Sequence, residues 1–149
     1  MKKYYYGYEE FIKDTKELSK QLKAYEPDTL LAVARGGLTL GHFIAQALDT
    51  RRLFALNSIH YEKEQVLDTI EVFNIPNLSD AKKVVIIDDI VDSGVTIKEV
   101  LAKLQTLYPN CEFKIATIFY KPTAVIKADF ALKEATQWID FFWEVDPLI

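Results

Sequence analysis

A single cysteine, Cys111, stands in a chain of 149 residues, and arginine occurs only at positions 35, 51 and 52. One thiol excludes an intramolecular disulfide and leaves no cysteine spacing for a metal, which suits a reducing compartment. So few arginines, no basic cluster and a net charge of −4 argue against a nucleic-acid partner, because duplex binding depends on Lys and Arg that release counterions. No apolar run approaches the ~18 residues of a membrane span. Lys2 and Lys3 are followed by tyrosines and then Glu9 and Glu10, where a signal peptide would need an apolar stretch. A soluble, cytoplasmic protein is expected. Repeats, linkers and low-complexity tracts are missing too, and 50% apolar residues supply a core for one domain spanning residues 1–149.

What is present alternates. Phe11, Thr15, Leu18 and Leu22 recur at helical spacing, predicting an amphipathic helix over residues 8–24 that Pro27 and Asp28 end. Residues 30–34 read as a buried strand, 35–37 as a tight loop, 38–48 as a mostly apolar helix and 53–59 as the next strand. No period holds from about 60 to 80, where charge, Asn74, Pro76 and Asn77 break the pattern. A loop of that length inside a compact domain is usually a lid or disordered, and a mobile lid is expected here. A strand at 84–88, a helix at 95–107 and a strand at 113–119 follow. The alternation predicts an α/β fold with parallel βαβ units and helices on both faces. From about residue 121 onward both tryptophans, Phe130, Phe141, Phe142 and two prolines replace the rhythm, so residues 121–149 are expected to fold back as a small cap on a core of about 1–120.

The chemistry concentrates in Val84-Val-Ile-Ile-Asp-Asp-Ile-Val-Asp-Ser-Gly-Val-Thr96. Four successive β-branched residues suit a strand covered on both faces, and such strands deliver ligands at their carboxyl ends. That end carries Asp88 and Asp89, then Asp92, Ser93, Gly94, Val95 and Thr96. Three carboxylates repel a phosphate, so they should face hydrogen-bond donors, such as the two hydroxyls of a ribose, or a metal ion. The anion belongs in the turn, where the amides of residues 93–96, the Ser93 and Thr96 hydroxyls and the positive end of the next helix converge. Gly94 allows φ > 0 and a close approach. The stretch therefore reads as a sugar-phosphate site.

These residues resemble the signature for 5-phosphoribosyl 1-diphosphate (PRPP) in the type I phosphoribosyltransferases. Ala34-Arg35-Gly36-Gly37-Leu38, Phe119-Tyr120-Lys121-Pro122 and Trp138-Ile139 narrow the resemblance to the compact bacterial xanthine-guanine enzymes, in order and spacing from end to end. It implies the type I phosphoribosyltransferase fold, a mostly parallel twisted sheet flanked by helices with a small C-terminal hood over the purine. It implies transfer of phosphoribosyl from PRPP to N9 of a 6-oxopurine, with Mg²⁺, in a homo-oligomer that is a dimer or tetramer. The aromatic clusters Tyr4–Tyr6 and Phe141–Trp143 would bury either in the fold or in a subunit contact.

By the same resemblance, Arg35, Gly36 and Gly37 grip the diphosphate, and Tyr61 closes over it. Asp88 and Asp89 lie by the ribose, with Asp89 the metal contact. Asp92 to Thr96 take the 5′-phosphate. Asp92 is the general base near N7, or a helix cap, and both roles can coexist. Lys121, a donor only, selects a 6-oxo over a 6-amino group; without the family context it is a surface lysine. Trp138 stacks on the purine or else packs inside the cap, and the backbone of Ile139 faces the 2-position. His42 and His60 belong to no cluster and read as structural. One departure stands out: the family carries a base between the mobile loop and the acidic pair, whereas residues 64–81 hold no lysine or arginine. Lys63, Lys82 and Lys83 are the nearby substitutes, or the lid supplies only amides. Two other functions compete. A receiver-type signalling module also unites an acidic pair, Mg²⁺, a Thr and Lys-Pro, but it places the pair on its first strand with roughly a hundred residues to follow. A PRPP sensor of the same fold would lack turnover.

Overall fold

The computed structural model describes residues 2–61 and 69–149. In chain order it holds β1 (Lys3–Tyr6), α1 (Tyr8–Tyr25), β2 (Thr29–Ala34), α2 (Leu38–Ala47), β3 (Leu53–Tyr61), β4 (Thr69–Phe73), β5 (Lys83–Ile87), β6 (Ile90–Val91), α3 (Val95–Leu107), β7 (Glu112–Ala116), β8 (Phe119–Tyr120), β9 (Lys133–Glu134) and β10 (Trp138–Phe141). The main sheet has the order β4-β3-β2-β5-β7. Its strands are parallel except β4, which runs antiparallel to β3.

Burial on both faces explains the central strands. Leu30, Val85 and Ile87 enter one apolar cluster with Phe11, Leu18 and Leu22 of α1 and Leu40 and Ile44 of α2. Their neighbours Leu31, Val84 and Ile86 enter a second cluster with Ile97, Val100 and Leu104 of α3. The period-2 direction of side chains turns a continuous apolar run into two cores. Helix α1 has Glu9 and Glu10 in its first turn and Lys23 in its last, as its dipole favours, and it ends where Glu26 adopts a left-handed conformation.

Three expectations need correction. The stretch read as aperiodic contains β4, in which Ile70 and Val72 alternate with polar residues and pack on the second core. The neighbouring charges and Asn74, Pro76 and Asn77 hid that short alternation. Residues 62–68, in the first half of the expected lid, lie outside the described residues, and Lys63 with them. The strand expected over 113–119 is two: the chain leaves the main sheet after Ala116 and joins the separate sheet β6-β8-β9 at Phe119. At the break, the Thr117 amide donates to the Phe130 carbonyl and its hydroxyl to the Phe119 carbonyl. Third, the C-terminal segment is more regular than expected. It contains β9 and β10, and β10 pairs in parallel with the N-terminal β1. The aromatic clusters divide: Tyr6 and Phe141 are buried, Phe141 stacks on Trp143 at 4.7 Å, and Tyr4 and Tyr5 remain exposed.

Candidate functional site

The carboxyl ends of β2 and β5 lie side by side, with Ala32 paired to Ile87, so the loops that leave them touch. The Gly37 amide donates to the Val33 carbonyl at 2.8 Å and the Leu38 amide to the Arg35 carbonyl at 3.1 Å, which folds residues 35–37 back over the acidic pair. A Cβ on Gly36 would stand 2.8 Å from Asp89 Oδ2 and 3.0 Å from Asp88 Oδ1. One on Gly37 would run into the Ile87 carbonyl oxygen. Only hydrogens fit, so the two glycines bring the Arg35 loop onto Asp88 and Asp89. The Ala34–Arg35 peptide is cis.

The pair itself is electrostatically uncomfortable. Burial and the charge of Asp89 push the Asp88 carboxyl well above the usual carboxylate range, and burial raises Asp89 too. The Asp89 amide donates to Asp88 Oδ1 at 2.9 Å, and the Asp89 carbonyl accepts from the amides of Ile118 and Phe119, both at 3.2 Å. The Asp89 amide thus fixes the Asp88 carboxyl, and backbone hydrogen bonds lower both carboxyls by less than burial raises them.

Beside the pair, Asp88, Asp89, Asp92, Ser93, Gly94 and Thr96 line a cavity of about 230 Å³. Gly94 takes φ 82° as the cap of α3, and a Cβ there would lie 3.1 Å from the Ile126 amide nitrogen. The Val125 amide donates to the Ser93 carbonyl at 2.9 Å, so the hood loop braces the turn. The amides of the first turn of α3 have no partner within the helix, and Gly94, Thr96 and Ile97 at that end border this cavity. The helix-cap alternative for Asp92 falls away. Gly94 is the cap residue, and the side chain that meets the helix start is Ser93, whose Oγ accepts from the Val95 amide at 3.3 Å.

Asp92 instead points to the hood. Lys121 Nζ meets Asp92 Oδ1 at 2.7 Å, across a narrow cavity of about 90 Å³ lined also by Asp89, Gln137, Trp138, Ile139 and Glu144. The general-base candidate and the base-selecting lysine face each other. Trp138 is 53% exposed, which removes the reading of a packed core aromatic, while Ile139 beside it is buried.

A larger cavity of about 660 Å³ adjoins, between the Arg35 loop and the hood, with Lys3, Arg35, Gly36, Trp138, Asp140 and Glu144 along its walls. The structure thus gathers Arg35, Gly36, Gly37, Asp88, Asp89, the 92–96 turn, Lys121, Trp138 and Ile139 on one edge. Tyr61 stands apart. It ends β3, its hydroxyl donates to Glu71 Oε2 at 3.3 Å, and it lines none of these three cavities.

Residues 4–149 match the family described as phosphoribosyl transferase domain. The chain belongs to that family. It is 41% identical to the xanthine-guanine-hypoxanthine phosphoribosyltransferase of Helicobacter pylori, with a TM-score of 0.90 over 97% of this chain and 95% of that one. The purine phosphoribosyltransferase of Pyrococcus horikoshii is 30% identical, with a TM-score of 0.85 over 100% and 99% of the two chains. A xanthine-guanine phosphoribosyltransferase of Cereibacter sphaeroides is 28% identical over 97% of this chain and 88% of its own length. The fold is the type I phosphoribosyltransferase fold.

For this phosphoribosyltransferase, the donor set at Asp88 and Asp89 fits Mg²⁺. Two adjoining carboxylates, both raised by burial, gain from a cation. Among the described residues no group of three or more acidic, His or Cys side chains forms a complete cage. That suits an ion that takes most of its ligands from water and substrate phosphates.

Sequence reasoning missed Gln137 and Glu144, which line the small cavity. Burial and the charges of Asp89 and Asp140 raise the Glu144 carboxyl, with Arg35 opposing. Its only sequence mark is that it closes the aromatic run Phe141-Phe-Trp143. Lys82 and Lys83 are excluded as site bases. Lys83 opens β5, the end opposite the acidic pair, and its Nζ donates to the Tyr25 carbonyl at 2.5 Å, while both amides donate to Asp28.

Proposed function

We propose that this chain is a purine-salvage enzyme that transfers the 5-phosphoribosyl group of PRPP to N9 of a 6-oxopurine, guanine, xanthine or hypoxanthine. The products are the nucleoside monophosphate and pyrophosphate. The observation that carries the reading is the shared edge: an Arg-Gly-Gly loop packed on two buried carboxylates, an anion-binding turn on one side and a Lys-Trp hood on the other.

The 92–96 turn takes the 5′-phosphate on its amides and hydroxyls. Asp88 and Asp89 accept from the ribose hydroxyls, and Asp89 is the residue that would hold the metal. When bound, Mg²⁺ offsets the charge of the diphosphate and so favours its departure. The Arg35 loop holds that diphosphate. Bond breaking runs ahead of bond making, so positive charge grows on the ribose ring. The C1′–O bond to the diphosphate breaks with its electron pair on the leaving oxygen, and N9 supplies the pair for the new bond. The purine then carries excess positive charge, and its N7 proton passes to Asp92. Lys121 gives up Asp92 to donate to the 6-oxo oxygen, which frees the carboxylate as the base arrives. Trp138 covers the ring.

The same reading places the protein in the cytoplasm as a homo-oligomer, a dimer or tetramer. Tyr5 and Tyr8 are 60% and 52% exposed, an aromatic surface suited to a second subunit. Among the described residues no helix is long and apolar enough to cross a membrane. The test is a panel of free bases incubated with PRPP and Mg²⁺ and read by product mass. New nucleoside monophosphate is expected from oxopurines; none from any oxopurine ends the reading.

A further inference from the structure

The diphosphate side of this site is short of positive charge. Asp140, Glu144 and Asp146 line the larger cavity beside the Arg35 loop, and Arg35 is the cation contributed by the core. Residues 64–81 contain no base, Lys82 and Lys83 stand at the far end of the sheet, and Lys121 is occupied by Asp92.

The small β1–β10 sheet brings a second cation, Lys3, to the larger cavity. Residues in register on adjacent strands face the same side, and the side alternates along each strand. Tyr4 and Tyr6 pair with Ile139 and Phe141, and both hood residues are buried with Tyr6, so that face looks inward. Lys3 and Tyr5 pair with Trp138 and Asp140 on the opposite face. Lys3, Trp138 and Asp140 then share a cavity with Arg35 and Gly36. Among the described residues Lys3 forms no ion pair, whereas Lys121 and Lys133 do.

We propose that Lys3 is a substrate-binding residue whose ammonium pairs with the diphosphate of PRPP from the hood side, opposite Arg35. This rests on the reading of the site as a PRPP site. It gives the N-terminal strand a second role besides bracing β10: carrying into the site the charge that residues 64–81 lack. An ammonium on a long stem reaches a phosphate as a point charge and needs no fixed geometry.

The test compares Lys3→Ala, Lys3→Arg and the neighbouring control Lys2→Ala with the native chain. Four quantities are measured: the KM for PRPP, the Kd of magnesium pyrophosphate by calorimetry, the Kd of GMP, and the Tm. Lys3→Ala should raise the PRPP KM and the pyrophosphate Kd about tenfold, the size of one lost charge-assisted hydrogen bond. GMP lacks the diphosphate, so its Kd should stay within about twofold. Lys3→Arg should restore most of the loss, and Lys2→Ala should behave as the native protein. Unchanged pyrophosphate binding in Lys3→Ala overturns the proposal. So does equal weakening of GMP and pyrophosphate, which would mean that β10 had merely been loosened. Native protein that binds magnesium pyrophosphate but makes no nucleotide would instead defeat the assigned transfer reaction, and the calorimetry still decides Lys3.

Discussion

Replacing Lys121 by Ala separates two effects that the geometry puts on one ammonium. In the ligand-free site Lys121 meets Asp92 at 2.7 Å, with the two side chains 38% and 56% exposed. An ion pair that wet is worth ~0–1 kcal/mol, so exchanging it for a purine costs guanine binding at most about fivefold. The bond made to the purine is stronger. A hydrogen bond from a charged donor to the 6-oxo oxygen contributes ~1.5–3 kcal/mol, which is about ten- to 150-fold in an equilibrium or rate ratio. The purine bond wins, so Lys121→Ala should lower kcat/KM for guanine and hypoxanthine by roughly one to two orders of magnitude. Adenine presents donors at that position and has no such bond to lose. Its low rate should hold or rise slightly. Initial rates with guanine, hypoxanthine, xanthine and adenine at saturating PRPP and Mg²⁺ give the ratio directly. Lys121→Met keeps much of the stem and controls for lost packing. An equal fold loss for guanine and adenine in both variants would refute the reasoning, because Lys121 would then be holding the hood rather than reading the base.

Asp92→Asn keeps the shape and removes the base, so turnover should fall ~10²- to 10⁴-fold while the Kd of GMP stays near native; unchanged turnover would remove the proton-acceptor assignment. Gly37→Ala puts a methyl against the Ile87 carbonyl, a backbone atom that cannot swing aside, and should cost ~1–3 kcal/mol, seen as a Tm lower by several degrees; a native Tm would contradict the close approach of the two loops. EDTA should abolish activity and excess Mg²⁺ restore it, and full activity in chelated, metal-free buffer would remove the metal from the reaction.

The parts of the fold that could be read in the chain are those with an uninterrupted local signal. The α3 span matched its expected 95–107 because Gly94 opens it, but of the apolar stripe read there, Val95, Val100, Leu101, Leu104 and Leu107, the structure buries Val100 and Leu104 and exposes Val95 and Leu107. The central strands were legible from runs that both cores bury. What stayed hidden depends on partners distant in sequence. β1 is four residues long and mostly aromatic, so nothing local tells a strand from a hydrophobic lead-in; it exists because β10 lies alongside. β4 leans on β3 in the same way, and Thr117 divides an apparently continuous strand because Phe130 accepts its amide.

The site shows the same division. Asp88, Asp89 and the 92–96 turn lie close together in the chain, and local chemistry alone marks them as sugar-phosphate ligands. The Lys121–Asp92 contact joins residues 29 positions apart on the two sides of the proposed purine cavity, and no spacing rule shows that the proposed general base and the proposed selecting ammonium pair with each other in the ligand-free site. That pairing bears on mechanism. An exposed carboxylate next to the raised Asp88–Asp89 pair adds a third negative charge to the edge, and Lys121 offsets it in the empty site. A 6-oxopurine supplies an acceptor that substitutes for the carboxylate, so the lysine can leave Asp92 without losing a partner. A 6-amino purine supplies no such acceptor there, and Asp92 stays held. Under the proposed reaction, selection of the purine and release of Asp92 are then one exchange of hydrogen-bond partners.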